Sequence, residues 1–174
     1  MFLASDSSMK VVYELRRELA EDPDHVVQVQ ALTLNKDKPL LGLMGTCGLF
    51  GSERWWKSVE KGKIRKKVVS GVISELVFAG QDSRWGNQVN SFKLAGSQST
   101  SQLMSIEVQE KEDRELFCVG ARVEAIFVLD ELKDSPRFPF GTKNFSEILL
   151  EMAVSRWPEK AQQSHAGDAA EPRA

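Results

Sequence analysis

This sequence is poor in histidine and cysteine, the side chains that most often bind metals or act as nucleophiles. Its 174 residues include two of each, namely Cys47, Cys118, His25 and His165. They show no metal-ligand spacing, and nothing identifies a base that would activate Cys47. A cysteine among glycines and leucines is usually a small buried hydrophobe. We therefore predict a protein with no cofactor, no metal and no enzymatic activity, with an enzyme that uses Cys47 as the remote alternative.

The sequence also lacks a strong charge excess, a long apolar run and an export signal. Its formal net charge of −2 gives no global reason to expect nucleic acid or an anionic membrane as the partner. No apolar run reaches the roughly 18 residues that cross a bilayer. The start, MFLASDSSMK, has neither the basic region nor the apolar stretch of a secretory signal. We expect a cytoplasmic protein with free thiols and no membrane span.

The length of the chain suits a single domain with its own hydrophobic core. Residues 1–8 are small and polar, and we predict that they are loose. Residues 9–158 carry the patterned sequence and are expected to form one domain. Residues 159–174, EKAQQSHAGDAAEPRA, lack apolar bulk, so we predict a disordered tail.

Alternating or β-branched segments dominate the middle of the chain and predict strands. These segments are residues 25–34, 67–79, 91–95, 99–108 and 119–129. Gly71 interrupts the longest one, as in strands that bend inside a small barrel. Because strands and helices do not alternate, a parallel α/β sheet is disfavoured. We predict an α+β, mainly β fold: a small five-stranded antiparallel barrel or half-barrel of the OB or SH3-like kind.

Two segments near the N-terminus favour helices. Residues 9–20 have helical apolar spacing, although residues 10–15 also suit a strand. Residues 52–61 predict a short helix before the longest strand, with Ser52 as the N-cap.

The end of the chain has the strongest helical pattern. Apolar side chains recur at helical spacing over residues 144–157, and Pro158 follows. We predict a C-terminal amphipathic helix that packs on the barrel. The alternative is that this helix joins two copies of the chain in a homodimer.

The glycine-rich stretch 39-PLLGLMGTCGLFGSERWW-56 allows several interpretations. A phosphate-binding loop would need the Gly-Lys-Ser/Thr sequence, which is absent. A membrane-surface segment would need a basic face, which is also absent. We therefore predict a hydrophobic connector that packs across the barrel, with Leu43, Leu49 and Phe50 filling one end of the core.

Basic and aromatic residues cluster after this stretch and predict a binding surface. The candidate residues are Trp55, Trp56, Lys63, Arg65, Lys66, Lys67 and Trp85. Exposed tryptophan and arginine often anchor protein interfaces. We predict a non-enzymatic cytosolic module that engages a protein partner through this surface. The alternative is single-stranded nucleic-acid binding, in which basic groups follow phosphates and aromatic rings stack on bases.

Overall fold

One antiparallel sheet forms the centre of the structure, a computed structural model that describes residues 2–3, 7–79, 89–95, 102–133 and 144–156. The strands are β1 (Met9–Glu14), β2 (Arg65–Val77), β3 (Ser91–Ala95), β4 (Gln102–Ser105), β5 (Arg122–Glu131) and β6 (Phe145–Ser155), and the helices are α1 (Leu15–Glu21), α2 (Pro23–Leu34), α3 (Glu53–Glu60) and a 3₁₀ helix (Lys111–Leu116). Within the described residues the strand order is β1-β6-β5-β2-β3-β4. The predicted mainly β, antiparallel character is therefore confirmed.

The sheet is open, because β1 and β4 are its two edges. Among the described residues no closed barrel is formed, and six strands are present where five were predicted. The OB or SH3-like kind stays a prediction. Residues 106–109, which follow β4, cross between the edges of the curled sheet. Ile106 N–H donates to the carbonyl of Asn90 just before β3 (2.8 Å), and Gln109 N–H donates to the carbonyl of Val12 in β1 (2.9 Å).

The sheet separates two clusters of buried side chains. In β6, Leu150 and Ala153 join the cluster under the helices, which contains Trp55. Met152 and Val154 point the other way and join the cluster enclosed by the curl of the sheet. The second half of β6 is therefore buried on both faces.

The C-terminal helix predicted over residues 144–157 is wrong, because the chain forms strand β6 there. The strand lies between β1 and β5, and a strand buried on both faces is apolar at nearly every position. Such a run also contains the spacing of a helix, so periodicity alone does not separate the two. The predicted homodimer through this helix loses its basis. Trp157 lies outside the described residues.

The strand predicted over residues 25–34 is also wrong, because these residues belong to helix α2. The helix begins with Pro23 in its first turn, and the Asp22 carboxylate accepts a hydrogen bond from His25 N–H (3.2 Å). Asp-Pro at the start of a helix is a recognised N-terminal signal. The alternation of valine and glutamine after this signal resembled a half-buried strand and led to the wrong prediction.

The other predicted elements are present, with unchanged ends for residues 91–95 and shifted ends elsewhere. The segments 52–61, 67–79, 91–95, 99–108 and 119–129 correspond to α3, β2, β3, β4 and β5. Residues 9–20 contain both structures that the sequence allowed, a strand and then a helix.

The N-terminal residues Phe2 and Leu3 are fixed to the centre of the sheet. Their backbone N–H groups donate to the Glu151 carboxylate at 2.7–2.8 Å. Glu151 is only 3% exposed, and a buried carboxylate is tolerated when hydrogen bonds surround it.

Candidate protein-docking surface

Glycines of the connector between α2 and α3 lie directly beneath α2. A Cβ atom added at Gly42, Gly45 or Gly51 would come within 3.0, 3.1 and 3.2 Å of Leu32, Thr33 and Val26 of α2, respectively. Side chains at these positions would crowd side chains of α2, because such contacts are tighter than ordinary packing. The glycine-rich stretch is therefore a connector on which α2 rests. Its Leu43 and Phe50 are buried and its Leu49 is half-buried.

The same connector fixes α3 through Trp55. Gly48 has a φ of +119°, and a Cβ there would lie 2.7 Å from Trp55 N. The Ser52 hydroxyl caps α3 by accepting a hydrogen bond from Trp55 N–H (3.2 Å), as predicted. The Trp55 indole N–H donates to the buried Asp130 carboxylate (2.7 Å). Burial raises the pKa of Asp130, and this hydrogen bond opposes the rise.

Lys133 holds the C-terminal end of α2. Its ammonium group donates to the carbonyls of Leu32 (2.9 Å), Asn35 (3.3 Å) and Lys38 (3.3 Å). The last carbonyls of a helix lack partners within the helix and carry its negative dipole end. Lys133 lies two residues after the end of β5, so these hydrogen bonds tie the end of α2 to the sheet.

The outward side of α2 carries an apolar row, beside which Asp24 and Gln28 are also exposed. Val27, Ala31 and Leu34 follow the i, i+4, i+7 spacing of one helical face, and Val27 and Leu34 are each 63% exposed. No residue of α2 is fully buried. The start of the connector adds Leu40, Leu41 and Met44, which are 46%, 55% and 38% exposed. We call Val27, Ala31, Leu34, Leu40, Leu41 and Met44 the α2 surface.

Exposing several large apolar side chains to water is unfavourable. Burying one valine or leucine side chain contributes about 1.5–3 kcal/mol, and the fold does not bury those of the α2 surface. Exposed apolar groups that lie near one another commonly mark the place where a partner binds. The α2 surface is therefore a candidate site for protein docking.

Of the tryptophans in the predicted binding surface, Trp55 and Trp56 do not both lie on the outside. Trp55 is 0% exposed and is a core residue, so it takes no part in a surface. Trp56 is half-buried, and the Arg16 guanidinium lies 4.2 Å from its ring centre. Trp85 lies outside the described residues.

The basic residues of β2 contact other side chains of the chain. Arg65 and Lys67 share one side of the strand by alternation. The Arg65 guanidinium lies 5.5 Å from the Phe145 ring centre, and Lys67 forms an ion pair with Glu147 (2.8 Å).

The remaining two basic residues lie apart from that pair. Lys66 faces the opposite side of β2, where its ammonium group lies 4.8 Å from the Phe2 ring centre. Lys63 is exposed before the strand begins. The basic segment is thus divided between two sides of the sheet and does not form one patch.

The described residues offer little for catalysis. Cys47 is half-buried, and its carbonyl accepts a hydrogen bond from the Ser58 hydroxyl (2.7 Å). Within the described ranges, no group of three or more histidine, cysteine, aspartate or glutamate residues could hold a metal ion. In the same ranges no helix has the length and hydropathy needed to cross a membrane.

Comparison with protein-family models finds a match. A family model described as immunity protein RhsI2 matches residues 9–155. The match runs from the first residue of β1 to the last residue of β6 and includes the α2 surface. No curated protein matches the chain.

Proposed function

The chain belongs to the RhsI2 immunity protein family, and from this premise we propose that it binds an Rhs toxin and blocks the toxin's action. Membership of an immunity-protein family indicates a protein-binding, non-enzymatic role. It gives no support to single-stranded nucleic acid as the partner. The divided arrangement of the basic residues also argues against that alternative.

The α2 surface is the observation that carries this proposal. The centres of protein interfaces are apolar and poor in charge, and this surface contributes six neutral side chains from one helix and the connector that follows it. Binding would bury these apolar side chains and so gain the hydrophobic free energy that they lack in the free protein.

The support beneath α2 favours docking as a rigid unit. The connector glycines allow close contact between α2 and the body of the protein, and Lys133 fixes the end of the helix. A surface that is ordered before binding loses less conformational freedom on association.

A second candidate surface lies around α3 and includes Trp56 and Lys63 from the surface predicted from the sequence. The Arg16 guanidinium, which was not part of that prediction, stacks on the half-buried Trp56, and both are residue types that anchor interfaces. This second surface offers fewer exposed apolar side chains than the α2 surface.

Isothermal titration calorimetry with the toxin domain of the cognate Rhs protein tests the proposal. We expect Val27→Glu and Leu34→Glu each to raise Kd about 100-fold, because each places an unpaired charge in an apolar interface. Val119→Glu is the matched control. Val119 is 59% exposed and lies in the turn before β5, at the end of that strand opposite the connector.

The results of this titration distinguish the location of the binding site from the proposed function itself. Val119→Glu should leave Kd within about threefold of wild type, as is usual for changes outside an interface. Unchanged binding by both α2 variants would move the site away from the α2 surface. No binding by wild type would refute the proposed function.

A further inference from the structure

The edge of β6 is only partly covered by β1. Pairing with β1 runs from Met9↔Ser155 to Glu14↔Glu151, and the chain then leaves the sheet at Leu15 to form α1. On its other side, β6 pairs with β5 as far as Phe145. Among the described residues, none pairs with positions 145–150 on the side where β1 would continue.

The hydrogen-bond pattern shows which backbone groups face this side. Leu132 N–H donates to the carbonyl of Asn144 (2.9 Å), so Asn144 directs its backbone groups toward β5. Backbone groups alternate sides along an antiparallel strand, and the register is regular here. The N–H and C=O groups of Phe145, Glu147 and Leu149 therefore face away from β5.

These groups contrast with the neighbouring edge of β1. Gln109 closes that edge, since its side chain donates to the Glu14 carbonyl (2.8 Å) and accepts from Glu14 N–H (3.3 Å). At β6, Phe145 N–H is taken by the Asn144 side chain (3.1 Å). The outward backbone groups of Glu147 and Leu149 have no hydrogen-bond partner within the described part of the chain.

A cavity of about 480 Å³ lies along this free edge. Apolar side chains of three elements line it: Ile148 and Leu149 of β6, Val29 and Leu32 of α2, and Leu43 and Phe50 of the connector. The inner side of α2 thus borders the cavity, while its outer side carries the α2 surface.

We propose that the toxin adds an extended segment of about five residues to β6, in the line of β1. This inference rests on the proposed function and specifies that the toxin binds here as an extended strand. Alternating N–H and C=O groups on a strand edge are satisfied by another strand, which is the basis of recognition by strand addition. The apolar lining selects apolar side chains on the face of the segment that enters the cavity.

Glu147→Pro tests the proposal with Glu147→Ala as its control. Both variants lose the exposed ion pair with Lys67, but only proline removes the outward N–H, and the ladder with β5 does not use that group. We expect Glu147→Pro to raise the Kd for the toxin domain about 10- to 100-fold, because a toxin carbonyl is left without its donor. Glu147→Ala should change Kd less than about threefold.

Amide hydrogen exchange of the wild-type protein, measured by NMR, gives a test that needs no variant. In the free protein, the N–H groups of Glu147 and Leu149 should exchange quickly, whereas those of Ser146 and Ile148 are bonded to β5. Adding the toxin domain should slow exchange at Glu147 and Leu149 at least about 100-fold, as expected for new main-chain hydrogen bonds.

Several results would overturn strand addition. Slow exchange at Glu147 and Leu149 in the free protein would show that residues 134–143 or a second copy of the chain already occupies the edge. Tight toxin binding with fast exchange at both positions, or with Glu147→Pro unaffected, would refute this inference and leave the proposed function standing. No binding by wild type would refute both.

Discussion

At the scale of single residues, the absence of a side chain matters as much as its presence. The connector glycines make room for α2 and for the start of α3, where Gly48 faces the backbone of Trp55. The sequence showed that glycines cluster in the connector but not what each glycine approaches, because close approach depends on residues far apart in the chain. It did predict the cap at Ser52, which is a local interaction.

We expect Gly48→Ala to lower the free energy of unfolding by more than about 3 kcal/mol, because the new methyl group meets the Trp55 backbone and alanine is strained at this φ. Gly62→Ala is the matched control. Gly62 has a φ of +70° and nothing within 4 Å of an added Cβ, so its cost should be about 1–2 kcal/mol. Urea unfolding measures both, and equal losses would contradict the close approach.

The raised pKa of Asp130 predicts how the stability of the fold depends on pH. Burial raises its pKa in the folded protein, so the folded state holds this proton more tightly than the unfolded state does. Stability from this group is therefore fully present at low pH. It declines as the pH rises from the unfolded pKa, about 3.9, through the raised folded value.

Asp130→Asn removes that titration and keeps an oxygen to accept the Trp55 indole hydrogen bond. We expect the unfolding free energy of the variant, minus that of wild type, to increase with pH across this window and then to level off. Urea unfolding at a series of pH values measures it. A difference that does not change with pH would contradict a raised pKa.

At the scale of elements, the two errors of sequence interpretation have one physical cause. α2 has apolar residues on both its inner and outer sides, and β6 has them on both faces. Sequence periodicity identifies an element by the contrast between a polar, exposed face and an apolar, buried face. Neither α2 nor β6 has that contrast. α3 and β2 were predicted correctly because each has a polar side.

We expect Lys133→Met to loosen the end of α2, because the carbonyls of Leu32 and of the C-cap Asn35, and that of Lys38 in the turn that follows, lose their cationic donor. The free energy of unfolding should fall by about 1 kcal/mol, and amide exchange near residues 32–38 should accelerate. Lys36→Met, in the turn after α2, is the control and should change stability by less than about 0.5 kcal/mol. Equal effects of the two substitutions would remove the capping role of Lys133.

At the scale of the whole molecule, the side chains that stabilise the fold differ from those that we propose for binding. The cores on both sides of β5 and β6 hold the fold, while α2 and the connector present apolar side chains outward. The sequence predicted the mainly β, antiparallel character and a protein partner. It did not predict the docking face, because exposure depends on how α2 lies on the connector.

The most direct measurement of the central claim is survival of cells that express the cognate Rhs toxin domain together with this protein. We predict growth with wild type and with Val119→Glu, and arrest with the double variant Val27→Glu and Leu34→Glu, when all three accumulate to equal levels. Growth with the double variant would contradict docking through the α2 surface. Arrest with wild type would contradict the claim that this protein blocks the toxin.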